Sequence, residues 1–394
     1  MEVGVIAPAD LSMDKAASIR MNNINKSMCD EDMSLDVFCF CAPNGGNTNI
    51  NYHSVRQTLT KKELHSWKRL WLLSLLLLQL LKRCYRFDCL YCHHIDGGLV
   101  GTAVRIMTLG RIQFILDLHG PFIEELKHYE LVTNQYLLSL LSLGERAVYM
   151  SAAHIFVTST GLSKIVTTKV DSNKVNVLYD YVSLEMFSPQ KSTVLESYGV
   201  KNNFVIMYVG MLKDYQGVDY LIDAFAEVNT EELEFNLQLV IVGNSNIGYY
   251  RDIAADRGIE NKVTFTGLQP HSEIPQFMAA ADILVAPRID TDVTQGGFLS
   301  QLPEYLAMQK PIIATDVSDS KKVLDDGKYG LLVPDSDTTA LANAISQLAQ
   351  DDELRRTIAE GTRERAERYS WQHGYKKIER KVESIVNTNQ GESQ

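Results

Sequence analysis

The sequence has no run of the roughly twenty apolar residues that a membrane-crossing helix needs. Its longest apolar stretch, Trp71 to Leu81 (WLLSLLLLQLL), is too short for that. There is no short internal repeat and no low-complexity tract. Positive charge is in the minority, with 38 Lys and Arg against 49 Asp and Glu and a net charge of −11. That balance argues against nucleic acid as a general partner but leaves room for a local basic patch. No charged segment followed by an apolar one precedes the first strand in MEVGVIAP, so no secretory signal is expected and the protein is read as cytoplasmic. The six cysteines are then expected to be reduced thiols.

Metal and haem motifs are also lacking in a usable form. Cys89-Leu90-Tyr91-Cys92-His93 matches the Cys-x-x-Cys-His spacing of haem attachment, but it reads as a core strand in a chain with no export signal, and haem is rejected. No second ligand pair stands at zinc spacing. Asp290 and Asp292 form an Asp-x-Asp pair inside a long loop, where solvated carboxylates are the expectation. No metal and no cofactor are therefore expected.

What is present is a two-domain α/β pattern. The chain has 394 residues, 45% of them hydrophobic, and 24 glycines. Strands alternate with helices, which favours parallel sheets covered on both faces. In the first half, strands are expected at Glu2–Ala7, Leu35–Cys41, Phe87–Cys92, Gln113–Asp117, His154–Ser159 and Lys174–Tyr179. Helices are expected at Ala16–Met28, from the Asp96-Gly97-Gly98 turn to Leu109, and at Glu145–Ala153. Val182 to Asn203 is polar and mixed, and reads as a linker. A second strand–helix series starts at Phe204.

The stretch Gly296 to Asp316 (GGFLSQLPEYLAMQKPIIATD) carries the chemistry of this second series. Two glycines lead into a helical pattern with Leu299, Leu302 and Leu306 on one face. A helix N-terminus leaves backbone N–H groups aimed outward, a natural seat for phosphate. Glu304 falls on the turn after this loop, where a carboxylate can accept hydrogen bonds from ribose hydroxyls. The pattern reads as a nucleoside-diphosphate site at the end of a parallel strand.

Lys61 to Arg86 leaves two readings open. One is a core helix between two strands. The other is an interfacial helix, with Leu and Trp in lipid and Lys61, Lys62, Lys68, Arg69, Lys82, Arg83 and Arg86 on anionic headgroups.

Several motifs agree in order. They are Val209-Gly210-Met211-Leu212, Gln216-Gly217-Val218-Asp219-Tyr220-Leu221-Ile222, Leu239-Val240-Ile241-Val242-Gly243, Val263-Thr264-Phe265-Thr266-Gly267, Ala281-Asp282-Ile283-Leu284-Val285-Ala286-Pro287, Gly327 to Pro334 and Tyr369-Ser370-Trp371. With them the second half resembles the retaining nucleotide-sugar glycosyltransferases of family four. His93-His94-Ile95-Asp96-Gly97, Asp117-Leu118-His119-Gly120-Pro121 and Val177-Leu178-Tyr179 extend the resemblance more weakly into the first half. It implies the GT-B fold, an α/β architecture of two doubly wound Rossmann-like domains facing across a cleft. The implied layout is an acceptor domain over 1–185, a linker over 186–203, a nucleotide-sugar domain over 204–370, and a terminal helix, 371–394, crossing back.

The resemblance also implies roles. Gly210, Lys213, Gly243, Gly267, Leu268, Arg288, Gly296, Gly297, Phe298, Leu299 and Glu304 would bind the donor. His119 and Glu304 would be catalytic, and Asp10, His94 and Asp96 would lie on the acceptor side. The reaction would move a sugar from a nucleoside diphosphate to a hydroxyl of a glycan or lipid-linked acceptor, with retention and without a metal. The family motif of two Glu separated by seven residues places Gly296 at the first Glu and Glu304 at the second. The family's phosphate-binding Arg and Lys fall on Met211 and Gln216, with Lys213 and Arg288 as replacements. These departures keep two other expectations open, a pseudo-enzyme acting as partner or regulator and a sugar-nucleotide epimerase. Peripheral membrane contact through Lys61–Arg86 is a further expectation.

Overall fold

The computed structural model describes residues 1–13, 16–30, 33–45, 49–55, 67–228 and 234–391. Lys61 and Lys62 of the basic flank lie outside them. The chain divides into two compact units, one of Met1–Tyr179 with Trp371–Gln394 and one of Asp180–Ser370.

The first unit is built on seven strands, β1 (Glu2–Asp10), β2 (Ser34–Cys41), β3 (Ile50–Ser54), β4 (Cys89–His93), β5 (Phe114–Leu118), β6 (His154–Val157) and β7 (Val175–Val177). All pair in parallel in the order β3-β2-β1-β4-β5-β6-β7. Strands buried on both faces must be apolar throughout. Val3, Val5, Ile6, Phe38, Leu90 and Leu116 are fully or almost fully enclosed. The order reverses direction between β1 and β4, which is where doubly wound sheets place their ligands.

The second unit has six parallel strands, β8 (Phe204–Val209), β9 (Leu237–Val242), β10 (Val263–Gly267), β11 (Ile283–Ala286), β12 (Ile312–Thr315) and β13 (Leu331–Val333). Their order is β10-β9-β8-β11-β12-β13, with the same reversal between β8 and β11. The helix Val218–Glu227 shows why these crossovers pack. It buries Val218, Leu221, Ile222 and Phe225, spaced by three and four residues, against the sheet. Each large side chain so buried contributes roughly 1.5–3 kcal/mol.

The differences from the expected elements have physical reasons. Strand β3 is too polar to show as an apolar run; it is held by parallel pairing to β2 and by His53 on Asp36 at 2.5 Å. The turn expected at Asp96-Gly97-Gly98 is helix, since the helix starts at His94 and runs to Met107. Gly98 is there for contact, because a Cβ would lie 2.5 Å from Val148 Cγ1. The helix expected to begin at Glu145 begins at Gln135, with Asn134 accepting from the amides of Tyr136 and Leu137 as its cap. The stretch 186–203 belongs to the second unit and contains a 3-10 turn, Val194–Tyr198.

The long loop expected around Asp290 and Asp292 holds a short helix, Asp292–Gly296. Thr291 and Thr294 cap it reciprocally. Gly296 is therefore the last residue of one helix and not the opening of the next, which runs only from Gln301 to Ala307.

The apolar run of Trp71–Leu81 sits in the helix Trp67–Leu81. Leu72, Leu76 and Leu80 are wholly buried in the first unit's core, so one face of this helix is structural. Leu70, Trp71 and Leu78 face outward.

Candidate active site

In the second unit the polar features gather where β8, β9 and β11 end. Gly210 follows β8 and Gly243 follows β9. The Gly243 amide donates to the Gly267 carbonyl at 3.0 Å, and the Gly210 amide to the Val242 carbonyl at 2.9 Å. A Cβ on Gly243 would strike the Gly210 carbonyl oxygen, so this glycine is fixed by contact with its own protein. Gly267 differs: nothing lies within 4 Å of its absent Cβ, and its φ of +78° is what demands glycine. Leu268, next to it, is 72% exposed.

The segment Gly297 to Leu299 is held by its carbonyls. Arg288 Nη1 donates to the Phe298 carbonyl at 3.1 Å, and Ser318 Oγ donates to that of Gly297 at 2.7 Å. The side chains of Phe298 and Leu299 are buried, so only their backbone could meet a ligand. Arg288 is itself buried, with its guanidinium carbon 5.7 Å from the centre of the Tyr215 ring. The helix Gln301–Ala307 is pinned by Tyr305, whose hydroxyl accepts from the Val209 amide at 3.2 Å and donates to the Val285 carbonyl at 3.4 Å. Gln301 bonds the Val209 carbonyl from the same helix. Pro303 and Tyr305 thus turn inward, while Glu304 in the first turn stays partly exposed. Its Oε1 is 3.5 Å from His271 Nε2. No motif marks His271, which stands on a short 3-10 turn after Pro270. Lys213 lies just before a 3-10 turn, Asp214–Gln216, in the loop that follows β8.

In the first unit the ends of β4 and β5 carry a buried network centred on Asp117. Arg20 Nη2 donates to its Oδ1 at 2.8 Å and Nε to Oδ2 at 3.3 Å. His93 Nδ1 and His119 Nε2 each lie 3.1 Å from Oδ2. Burial alone would raise the Asp117 pKa, but Arg20 and the two histidines together hold it well below the ordinary range. Burial dominates at His93, lowering it to about 4 against the partial pull of Asp117. Burial also lowers His94, aided by His119 and His93. The rings of His94 and His119 have centroids 3.9 Å apart.

Of the expected acceptor-side residues, Asp10 ends β1 at the reversal point and accepts from the Ser12 amide at 3.1 Å. His94 joins the His119 group. Asp96 is committed elsewhere, as the partner of Arg69, whose Nε donates to it at 2.7 Å. Arg20, His93 and Asp117 are not residues to which the motifs assign a role. Asp117 is legible in sequence only as the start of Asp-Leu-His-Gly-Pro, and Arg20 lies in an Asn-rich helix with no motif around it.

Among the described residues, His93, Asp117 and His119 are the one group placed to hold a metal ion, with ligand atoms within 4.8 Å of one another. Arg20 already supplies the compensating charge on both carboxylate oxygens, and a cation would have to share them. The network fits a metal poorly. Cys89 and Cys92 are fully buried thiols; burial raises Cys89 to about 12 and Cys92 well above its usual value, as expected of unreactive core cysteines.

Residues 203–351 match the family Glycosyl transferases group 1. An α-D-kanosaminyltransferase of Streptomyces kanamyceticus is 29% identical over 171 residues, 43% of this chain and 43% of that one. The chain thus aligns with less than half the length of that relative. A capsular polysaccharide biosynthesis glycosyltransferase, CapM, of Staphylococcus aureus is 25% identical over 75% of this chain and 76% of its own. Among solved structures, Anabaena HepE in complex with UDP-glucose covers 98% of this chain and 100% of its own at a TM-score of 0.76 and 18% identity. At that identity the likeness is one of fold. With the two parallel sheets it makes this a GT-B glycosyltransferase architecture, as the sequence motifs implied.

Proposed function

We propose that the protein is a retaining glycosyltransferase that moves a sugar from a nucleoside-diphosphate sugar to a hydroxyl of a glycan or lipid-linked acceptor. The observation that carries this is Glu304, held partly exposed in the first turn of a helix whose other residues are locked to β8 and β11 by Tyr305 and Gln301. In this reading its carboxylate accepts the ribose hydroxyls. Negative charge develops on the departing diphosphate, so the site needs pre-oriented donors and not a strong acid. Each such donor contributes roughly 2.7–4 kcal/mol in the transition state. Lys213 is assigned as the cation, and the Gly297–Leu299 backbone as the source of amides. Arg288, committed to the Phe298 carbonyl, positions that segment. His119, oriented through Nε2 by Asp117, is assigned to the sugar, and Asp10 and His94 to the acceptor. No step calls for a metal or a cofactor.

UDP-glucose, the ligand in the HepE structure, is the donor to try first. Titration calorimetry followed by nucleotide release with a hydroxyl acceptor tests the proposal. Binding with release supports it, and no binding of any nucleotide sugar overturns it. One observation favours a second reading, a pseudo-enzyme. Gly296, standing at the family's first Glu, is buried at the end of a helix and offers no side chain. Donor binding without release under any acceptor supports that reading. Turnover of the donor with no acceptor present supports an epimerase instead.

A further inference from the structure

We propose that three neighbouring helices of the first unit, Trp67–Leu81, His94–Met107 and Gln135–Ser151, together form a docking face for an anionic lipid bilayer. The inference is separate from the transfer reaction and concerns where the protein resides. The helix His94–Met107 packs against both of the others. Each of the three follows a crossover in the same direction across the sheet, so right-handed connections put them on one side of it. Their inner residues, including Leu72, Leu76, Val100, Val104, Val148 and Tyr149, share one core. Their outer residues therefore face one way.

Those outer residues are apolar where a solvated helix would be polar. The first helix exposes Leu70, Trp71 and Leu78. The second exposes Leu99, Ile106 and Met107, and Leu109 follows at its end. The third has the most regular pattern. Tyr136, Leu140, Leu143 and Met150 are all exposed at helical spacing, with Leu140 at 64% and Leu143 at 65%. Scattered exposed leucines mean nothing, but a face of this kind across three adjacent helices marks an interaction site.

Charge chooses the occupant. The chain carries −11 overall, yet residues 67–112 hold seven Lys or Arg and only two Asp. Both acids are engaged, Asp96 by Arg69 and Asp88 by the Glu2 amide at 2.9 Å. Lys82, Arg86 and Arg111 are exposed beside the apolar residues, and Arg146 is exposed on the third helix. Apolar side chains inserted among headgroups, with basic stems reaching phosphate, are the chemistry of an interfacial surface. A second copy of this chain fits less well, because a two-fold contact would set the same basic segment against itself. No helix among the described residues is long and apolar enough to cross the bilayer, so the contact would lie on it.

The test is sedimentation of the full chain with sucrose-loaded vesicles of phosphatidylcholine, with and without one third phosphatidylglycerol. Expected is binding to the anionic vesicles that weakens roughly tenfold or more without phosphatidylglycerol and in Lys82→Ala/Arg86→Ala. Leu140→Glu/Leu143→Glu should lose binding while keeping the wild-type thermal melt, since both residues are exposed. Ile106→Ser/Met107→Ser reads the same face should the first variant melt early. Equal binding of wild type and all variants overturns the proposal, as does no binding of wild type. A vesicle-independent dimer abolished by Leu140→Glu/Leu143→Glu would also overturn it and assign the face to a second copy.

Discussion

Replacing Arg20 with Met tests whether the first unit depends on the charge at Asp117. Asp117 is wholly buried, and Arg20 is the cation that reaches it, with two contacts to the carboxylate. The same guanidinium donates to the carbonyls of Tyr179 at 2.7 Å and Leu178 at 3.0 Å, where the chain leaves this unit. Met keeps most of the volume and removes the charge. Lost hydrogen bonds to two carbonyls would cost about 1 kcal/mol each if water replaced Arg20. An uncompensated buried carboxylate costs more, roughly 3–5 kcal/mol, and so dominates. Urea unfolding of Arg20→Met at pH 7 should therefore show a loss of about 3 kcal/mol or more. Arg20→Met/Asp117→Asn should recover a large part of it, because the neutral amide can still accept from His93 and His119. A loss under about 1 kcal/mol, or a double variant less stable than the single one, would refute the idea that the unpaired charge accounts for most of the cost.

Other perturbations have equally definite expectations. Glu304→Ala should raise the calorimetric Kd for UDP-glucose at least tenfold, about 1.4 kcal/mol, and Glu304→Gln by less; an unchanged Kd removes Glu304 from the donor site. The first unit should weaken in acid. His93 is lowered by burial to about 4, so the unfolded chain, near 6.5, binds the proton first. The stability it contributes is complete above about 6.5 and lost as pH falls towards 4, about 3 kcal/mol in all. His154, lowered to about 3 by burial and then by Lys381, acts in the same direction. A first-unit unfolding midpoint that stays level from pH 7 to 4.5 would contradict this. Gly243→Ala should cost more than Gly267→Ala. The first meets a backbone carbonyl oxygen, whereas the second has open space and bears only the roughly 1–2 kcal/mol of a left-handed backbone. Equal thermal shifts in the two variants would show that the contact at Gly243 is relieved at no cost.

The second unit is largely legible in the sequence because its strands are short apolar runs, several of them closed by glycine or proline. The series opens at Phe204 as expected, with the strand Phe204–Val209, and Leu237–Val242 and Ile283–Ala286 are equally plain apolar runs. The first unit hides more. Strand β3 has Asn51, His53 and Ser54 in it, and nothing in that composition announces a strand. Gly97 and Gly98 read as a turn because glycine usually breaks a helix, yet here it lets the helix lie close to β5 and to Val148. The helix after Gly296 is shorter than its pattern suggests, because an apolar spacing of three and four residues continues across Leu299 and Leu302. The break at Gly297–Ser300 is imposed by tertiary bonds from Arg288 and Ser318, which local sequence does not encode.

The same limit explains which site residues escape a reading of motifs. Glycines and Glu304 stand in patterns that can be counted along the chain. Arg20, Asp117 and His93 are brought together from separate elements, and Arg20 lies 97 positions from its carboxylate. What unites them is topology. Both sheets reverse between their first and fourth strands in sequence, β1 and β4 in one unit and β8 and β11 in the other. In each, residues of the candidate sites lie at those strand ends: Asp10 and His93 in the first, Gly210 and Arg288 in the second. Once the strand order is known, handedness fixes which face each crossover helix covers, and the reversal points are where ligands are expected. Asp10, His93, Gly210 and Arg288 all stand within a few positions of those strand ends, and Asp117 stands at the end of the neighbouring β5. Arg20 and His271 do not, because they enter from a helix and a loop, and only the folded chain brings them to the carboxylates they meet.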